Sequence, residues 1–309
     1  MSIIVIDGDC RDELEKMSAE SIHCCVTSPP YWGLRDYGEG DQIGLEATPE
    51  AYVEQMVNVF REVRRVLRDD GTVWLNLGDS YSGSGKGPSQ GLNGEQHHLE
   101  HKTGGIVPAG LKPKDLVGIP WRVAFALQAD GWYLRQDIIW SKPNPMPESV
   151  TDRCTKAHEY IFILSKSAKY YYDADAIKEP LVTEPHAPGN KKLDASRNDH
   201  DQMNKVWGSD GLRNKRSVWT VTTKPFSGAH FATFPPDLIE PCIKAGCPKG
   251  GTVLDPFGGA GTTGMVADRL GRNAVLIELN ADYAQIARDR LVDDCPLFTE
   301  IKTEMETDE

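Results

Sequence analysis

No run of apolar residues in this chain of 309 residues approaches the roughly 18–20 that a membrane-spanning helix needs. The opening Met1-Ser2-Ile3-Ile4-Val5-Ile6-Asp7 lacks the basic start and long apolar stretch of a secretory signal, so a cytoplasmic protein is expected. The seven cysteines form no CxxC pair and no Cys/His spacing suited to zinc, which points to reduced thiols and to no metal site. Positive charge is also scarce: 34 Lys and Arg face 46 Asp and Glu, a formal charge of −12. A nucleic-acid partner does not follow from such a balance, because phosphates demand a local excess of Lys and Arg. The deficit is uneven, however, since residues 151–235 carry 13 Lys and Arg against 10 Asp and Glu. There is no internal repeat.

What the chain does have is an alternation of strand and helix patterns. Residues 3–6 read as a strand, 11–17 as a helix, and 22–26 as a second strand. That strand must end at Pro29-Pro30, because proline cannot donate to a sheet ladder. Residues 51–67 place Val53, Met56, Val57, Phe60, Val63 and Leu67 at helical spacing. A turn at 69–71 and a strand at 72–77 are expected next, then a helix over 115–129 and strands over 133–140 and 160–164. A helix over 235–246, opened by proline and closed by glycine, precedes a strand, glycine turn, helix, strand and helix within 252–291. The alternation implies one α/β domain, a mostly parallel sheet with helices on both faces. Two stretches break it. Residues 82–112, rich in Gly, Ser, His and Lys, are longer than a compact connection needs and read as a functional or flexible loop. Residues 175–216 are polar and aperiodic and read as an insertion. The expected division is 1–174, then that insertion, then 217–298 completing the same domain, with 299–309 a frayed acidic tail.

Two motifs carry chemistry. Asp255-Pro256-Phe257-Gly258-Gly259-Ala260-Gly261-Thr262-Thr263 stands between a strand and a helix, where glycines let backbone approach a ligand. Glu278 follows at the end of the next strand, the place where nucleotide-binding α/β folds put a carboxylate against ribose hydroxyls. An adenosine-containing ligand is therefore expected. The turn is not G-x-G-x-x-G, which disfavours a dinucleotide. Near the N-terminus, Thr27-Ser28-Pro29-Pro30-Tyr31-Trp32 runs straight out of a strand. An exocyclic amine is a weak nucleophile until acceptors take up its protons. Ser28 Oγ beside the Pro29 carbonyl, on a loop stiffened by Pro29 and Pro30, suits that task, and Tyr31 could stack on an extruded base.

Together these motifs resemble the DNA amino-methyltransferases, specifically the beta class in which the catalytic motif precedes the cofactor motif. The resemblance extends to Asp7-Gly8-Asp9-Cys10, to residues 138–144 with His158-Glu159, and to residues 230–236. It implies a Rossmann-like S-adenosylmethionine-dependent fold in circularly permuted order. It also implies catalysis by Ser28, Pro29, Pro30 and Tyr31. S-adenosyl-L-methionine would lie against Asp9, Asp255, Phe257, Gly258, Gly259, Gly261, Thr262 and Glu278, with Phe231 and Thr233 at its methionine end. The polar insertion would be a target-recognition region for double-stranded DNA, with Arg213, Lys215 and Arg216 as contacts. Trp219 reads as core or pocket wall. A cognate restriction endonuclease and a monomer or homodimer fit such an enzyme.

Within the family Ser-Pro-Pro-Tyr goes mostly with cytosine N4 and Asp-Pro-Pro-Tyr with adenine N6, so cytosine N4 is expected and adenine N6 is the alternative. Pro241-Cys242 lacks the context of a C5-cytosine nucleophile and reads as a buried helical thiol. A NAD-binding oxidoreductase is the remote rival, and the Ser28 loop argues against it.

Overall fold

The computed structural model describes residues 1–34, 38–83, 107–181, 211–223, 234–294 and 300–303. In chain order the elements begin with β1 (Ser2–Asp7), α1 (Cys10–Lys16), β2 (Ile22–Thr27), α2 (Pro49–Val66) and β3 (Leu67–Leu77). They continue with α3 (Ile119–Ala129), β4 (Tyr133–Ser141), β5 (His158–Ser165), β6 (Glu179–Pro180), β7 (Leu212–Arg213) and β8 (Val218–Thr220). The last are α4 (Pro236–Gly246), β9 (Thr252–Asp255), α5 (Thr262–Arg269), β10 (Asn273–Glu278), α6 (Ala281–Asp294) and β11 (Glu300–Lys302). Among the described residues, nine strands form one sheet in the order β11-β1-β10-β9-β2-β3-β5-β4-β8. Only β5 runs against its neighbours; the other adjacent pairs are parallel. No helix among the described residues is long and apolar enough to cross a membrane.

Both faces of the sheet are covered, because successive side chains of a strand point opposite ways. Cys25, Val73, Leu75 and Phe162 pack with Leu14 of α1, Tyr52, Met56 and Phe60 of α2 and Val123 and Leu127 of α3. Their neighbours Cys24, Val26, Trp74 and Ile163 face Leu238 and Ile243 of α4, Met265 of α5 and Leu291 of α6. Cys242 is buried within α4, and burial pushes its thiol far up, as expected for a core thiol rather than a nucleophile. Trp219 is core: its indole nitrogen donates to the Arg216 carbonyl at 2.6 Å, and its ring lies 6.4 Å from that of Trp74.

Several boundaries differ from expectation for local reasons. Residues 69–71, expected as a turn, continue β3. Leu67 pairs with Ile22, and the register resumes at Thr72 opposite Cys24 after an irregularity. The carbonyls of Leu67, Asp69 and Asp70 are taken by Lys166 Nζ, Ser167 Oγ and the Tyr171 amide, so the exposed stretch stays extended. Helix α3 starts at Ile119 rather than 115. Gly118 adopts φ +80°, and the Asp79 carboxylate accepts from the Gly118 and Ile119 amides at 2.9 and 3.0 Å, a cap supplied from β3's end. The tail is not wholly frayed. Glu300, Ile301 and Lys302 pair in parallel with Ser2, Ile3 and Ile4, which covers the otherwise unpaired edge of β1. Residues 84–106, most of the expected loop 82–112, and 182–210, most of the expected insertion, lie outside the described residues. The flanks of the latter meet, with β6 pairing antiparallel with β7 and the Leu181 amide donating to the Gly211 carbonyl at 2.9 Å.

Candidate active site

Strands β1, β10, β9 and β2 are parallel, so Asp7, Glu278, Asp255 and Thr27 all end at one edge of the sheet. Between β9 and β2 the progression of strands reverses direction, and an open α/β sheet leaves a crevice at such a point. The two sides are tied together there: Thr27 Oγ1 donates to Asp255 Oδ1 at 2.6 Å. Above this bond lies a cleft lined from the β9 side by Pro256, Phe257, Gly258 and Gly259. Glu278, Asp9, Arg11, Glu39, Ile43, Ser28 and Pro30 are among its other lining residues.

The glycine loop is shaped by close approach. A Cβ at Gly258 would lie 3.0 Å from Leu276 Cβ, and one at Gly261, whose φ is +75°, would lie 3.0 Å from Ala287 Cβ. Arg290 of α6 braces the loop by donating to the Ala260 carbonyl and Thr262 Oγ1, both at 2.9 Å. Glu278 accepts from the Gly259 amide at 2.7 Å and the Asn280 amide at 3.0 Å, which aims a carboxylate into the cleft from the strand end. Burial pushes its carboxyl up, against those two backbone bonds. Asp9 caps α1 through the Arg11 amide at 2.8 Å and also pairs with the Arg11 guanidinium. Burial alone would raise the Asp9 carboxyl, but the hydrogen bonds and charge of Arg11 outweigh it and hold the group below the usual range.

The serine loop is held from below. Pro29 is buried, and Tyr52 of α2 donates to the Pro30 carbonyl at 2.9 Å. Trp32 donates to the Glu46 carbonyl at 2.9 Å. The Tyr31 ring packs so closely on Gly78 that a Cβ there would come within 2.5 Å of it. Ser28 is partly buried and faces the same cleft as the glycine loop.

The expected residues therefore divide. Ser28, Pro30, Asp9, Asp255, Phe257, Gly258, Gly259, Thr262 and Glu278 share the cleft wall. Asp255 does so as a pin rather than an open acceptor: it is 1% exposed and accepts from Thr27, from Thr263 Oγ1 at 2.6 Å and from the Phe257 amide. Tyr31 is turned toward Glu159, to which its hydroxyl donates at 2.8 Å. Phe231 and Thr233 lie outside the described residues. Arg213 is paired with Glu179 at 2.9 Å, and the Lys215 ammonium sits 5.0 Å over the Trp219 ring. Arg216 is exposed. All three precede β8, and none of them lines the cleft. Arg11, Glu39 and Ile43 had no motif to announce them. They reach the cleft only through the fold.

By its sheet and by the position of its cleft the protein is a doubly wound α/β enzyme. It belongs to the DNA methylase family of N6 and N4 amino-methyltransferases, whose model matches residues 22–289. The chain is 49% identical over 291 residues to the Type II methyltransferase M.SmaI of Serratia marcescens, covering 93% of this chain and 90% of that one. Its fold matches that of the PvuII DNA methyltransferase (cytosine-N4-specific) with a TM-score of 0.63 at 18% identity, over 94% of this chain and 87% of the other. A putative DNA modification methylase from Thermus thermophilus, solved in complex with S-adenosyl-L-methionine, matches at 0.61 and 23% identity, over 99% and 100%.

Proposed function

We propose that the protein transfers a methyl group from S-adenosyl-L-methionine to the exocyclic N4 of cytosine in double-stranded DNA, as the modification half of a Type II restriction-modification pair. The observation that carries this reading is a serine hydroxyl, Ser28, lining the same cleft as the glycine loop and the Glu278 carboxylate.

The cleft's chemistry fits the methyl donor better than a dinucleotide. Glu278 offers acceptors for a ribose diol, and Gly258 and Gly259 present bare backbone to the cleft. Asp9 and Arg11 offset each other in the wall, so Glu39 and Glu278 leave it acidic. Such a wall attracts a sulfonium cation and repels a pyrophosphate. Bound there, S-adenosyl-L-methionine supplies an electrophilic methyl group.

The chain's own residues prepare the nucleophile. The target base must leave the duplex stack to enter the cleft. Ser28 Oγ and the Pro29 carbonyl accept hydrogens from its amino group, which concentrates the nitrogen lone pair. The Tyr52 hydroxyl bonds the Pro30 carbonyl and so helps to hold the loop that carries those acceptors. The cytosine-N4 specificity in the name of the PvuII enzyme, and the neutral serine at position 28, favour cytosine over adenine N6. The phosphates meet the strand-end edge, where Lys112 and Lys114 are 84% and 83% exposed. Their ion pairs, with Asp115 and Asp152, are open to solvent, and such contacts are worth at most about 1 kcal/mol.

Ser28→Ala is expected to lower methyl transfer roughly a hundredfold or more, with S-adenosylhomocysteine binding retained by calorimetry. Unchanged transfer would remove Ser28 from catalysis. Base-resolution sequencing of DNA methylated by the purified protein reports whether the product is N4-methylcytosine or N6-methyladenine.

A further inference from the structure

A serine hydroxyl both donates and accepts, yet only its accepting side helps an amine that must shed a proton. Something must therefore fix which way the Ser28 hydrogen points. Behind the loop, Tyr31 Oη lies 2.8 Å from Glu159 Oε2, with Asn76 Oδ1 a weaker second acceptor at 3.4 Å. Glu159, at the start of β5, also receives Asn76 Nδ2 at 3.3 Å and the ammonium of Lys142. Asn76 Nδ2 is anchored in turn on the Tyr160 carbonyl at 3.0 Å. Lys142 lies 4.1 Å over the Trp140 ring, which limits its freedom. Ser28 Oγ stands 3.4 Å from Tyr31 Oη on the other side.

The direction of every bond in this chain follows from its end. An ionised carboxylate only accepts, so Tyr31 must donate to Glu159. Burial, reinforced by the Glu159 charge, pushes the Tyr31 phenol well up, so it keeps the proton it donates. With that proton committed, the Tyr31 oxygen can only accept from Ser28. At 3.4 Å this last bond is long for a pair of hydroxyls, so it biases the Ser28 hydrogen toward the back of the loop, and the lone pairs toward the cleft, rather than locking them.

We infer that Glu159 is a positioning residue that sets the hydrogen-bond polarity of the catalytic loop, acting through Tyr31 to hold Ser28 as an acceptor toward the target amine. The inference rests on the methyl-transfer reading above and adds to it a residue that is not among those lining the cleft.

The test is single-turnover methylation of duplex DNA by the full-length protein, with S-adenosylhomocysteine and DNA affinities and melting midpoints measured in parallel. In Glu159→Gln the amide can donate to Tyr31, reverse the chain and turn the Ser28 hydrogen into the cleft. The rate is expected to fall at least tenfold, with both affinities within about twofold of wild type. Glu159→Asp, which keeps an acceptor, should recover part of the rate. Tyr31→Phe keeps the ring but cuts the chain, so its loss should not add to that of Glu159→Gln. An unchanged rate in Glu159→Gln, additive losses in the double variant, or a loss confined to DNA affinity would overturn the inference. If Glu159→Gln does not fold, Tyr31→Phe and Glu159→Asp decide on their own. A wild-type protein that methylates no amino group refutes the functional reading itself, whereas an active wild type with an equally active Glu159→Gln refutes only the role of Glu159.

Discussion

At Asp255, burial pushes the carboxyl from the usual 3.8 up to about 7, against the hydrogen bonds from Thr263, Thr27 and the Phe257 amide. A carboxyl raised on folding adds stability that is fully present below about 4 and is lost as pH rises through about 7. Each unit of separation is worth about 1.4 kcal/mol. In Asp255→Asn the side chain no longer titrates, so its stability should gain on that of the wild type as pH rises from about 4 to about 7. Denaturant midpoints across that range measure the difference, and parallel curves for the two proteins would contradict it. The same residue shows what motif reading could and could not see. Its place beside the glycines was legible, because the strand and the turn bracket it. Its partner Thr27 lies 228 positions away, and no local pattern reports a bond of that span. Arg11, Glu39 and the Tyr52 contact to Pro30 escaped for the same reason.

At the scale of elements, the glycine loop and α5 depend on α6. Gly261 combines a left-handed backbone with a Cβ direction aimed at Ala287. Gly261→Ala is expected to cost about 1–3 kcal/mol from strain and overpacking and to weaken S-adenosylhomocysteine binding. Thermal melting and a ligand titration check the two effects, and a wild-type melting point would exclude the packing argument. Long elements were readable from sequence: of the stripe read over 51–67, Met56, Phe60 and Val63 are buried in α2, while Val53 and Val57 stand at its half-buried margin and Tyr52, not part of that reading, lies at its centre. The three-residue strands β8 and β11 were not, because so short a strand is decided by the edge that receives it rather than by its own residues. The start of α3 was misjudged because its cap, Asp79, sits at position 79 rather than beside the helix.

For the whole molecule, a charge of −12 makes the approach to DNA depend on where exposed cations lie, and Lys112 and Lys114 are two of them. Reversing Lys112 and Lys114 to Glu should weaken DNA binding uniformly across sequences and flatten its salt dependence by about 1–2 in slope. Binding isotherms at several salt concentrations test this; an unaltered slope would show that these lysines meet no phosphate. The two-rung ladder of β6 and β7 has a separate consequence. It brings the ends of the 182–210 segment together before that segment begins. Once two chain positions are held together at a fixed neck, the entropic cost of closure rises only slowly with the length of chain between them. Replacing 182–210 by a Gly/Ser linker should leave the melting midpoint and S-adenosylhomocysteine affinity close to wild type while abolishing site-selective methylation. On the reading of that insertion as the target-recognition region, the neck would serve as a socket, through which a lineage could exchange one address on DNA for another without redesigning the machine that writes the mark.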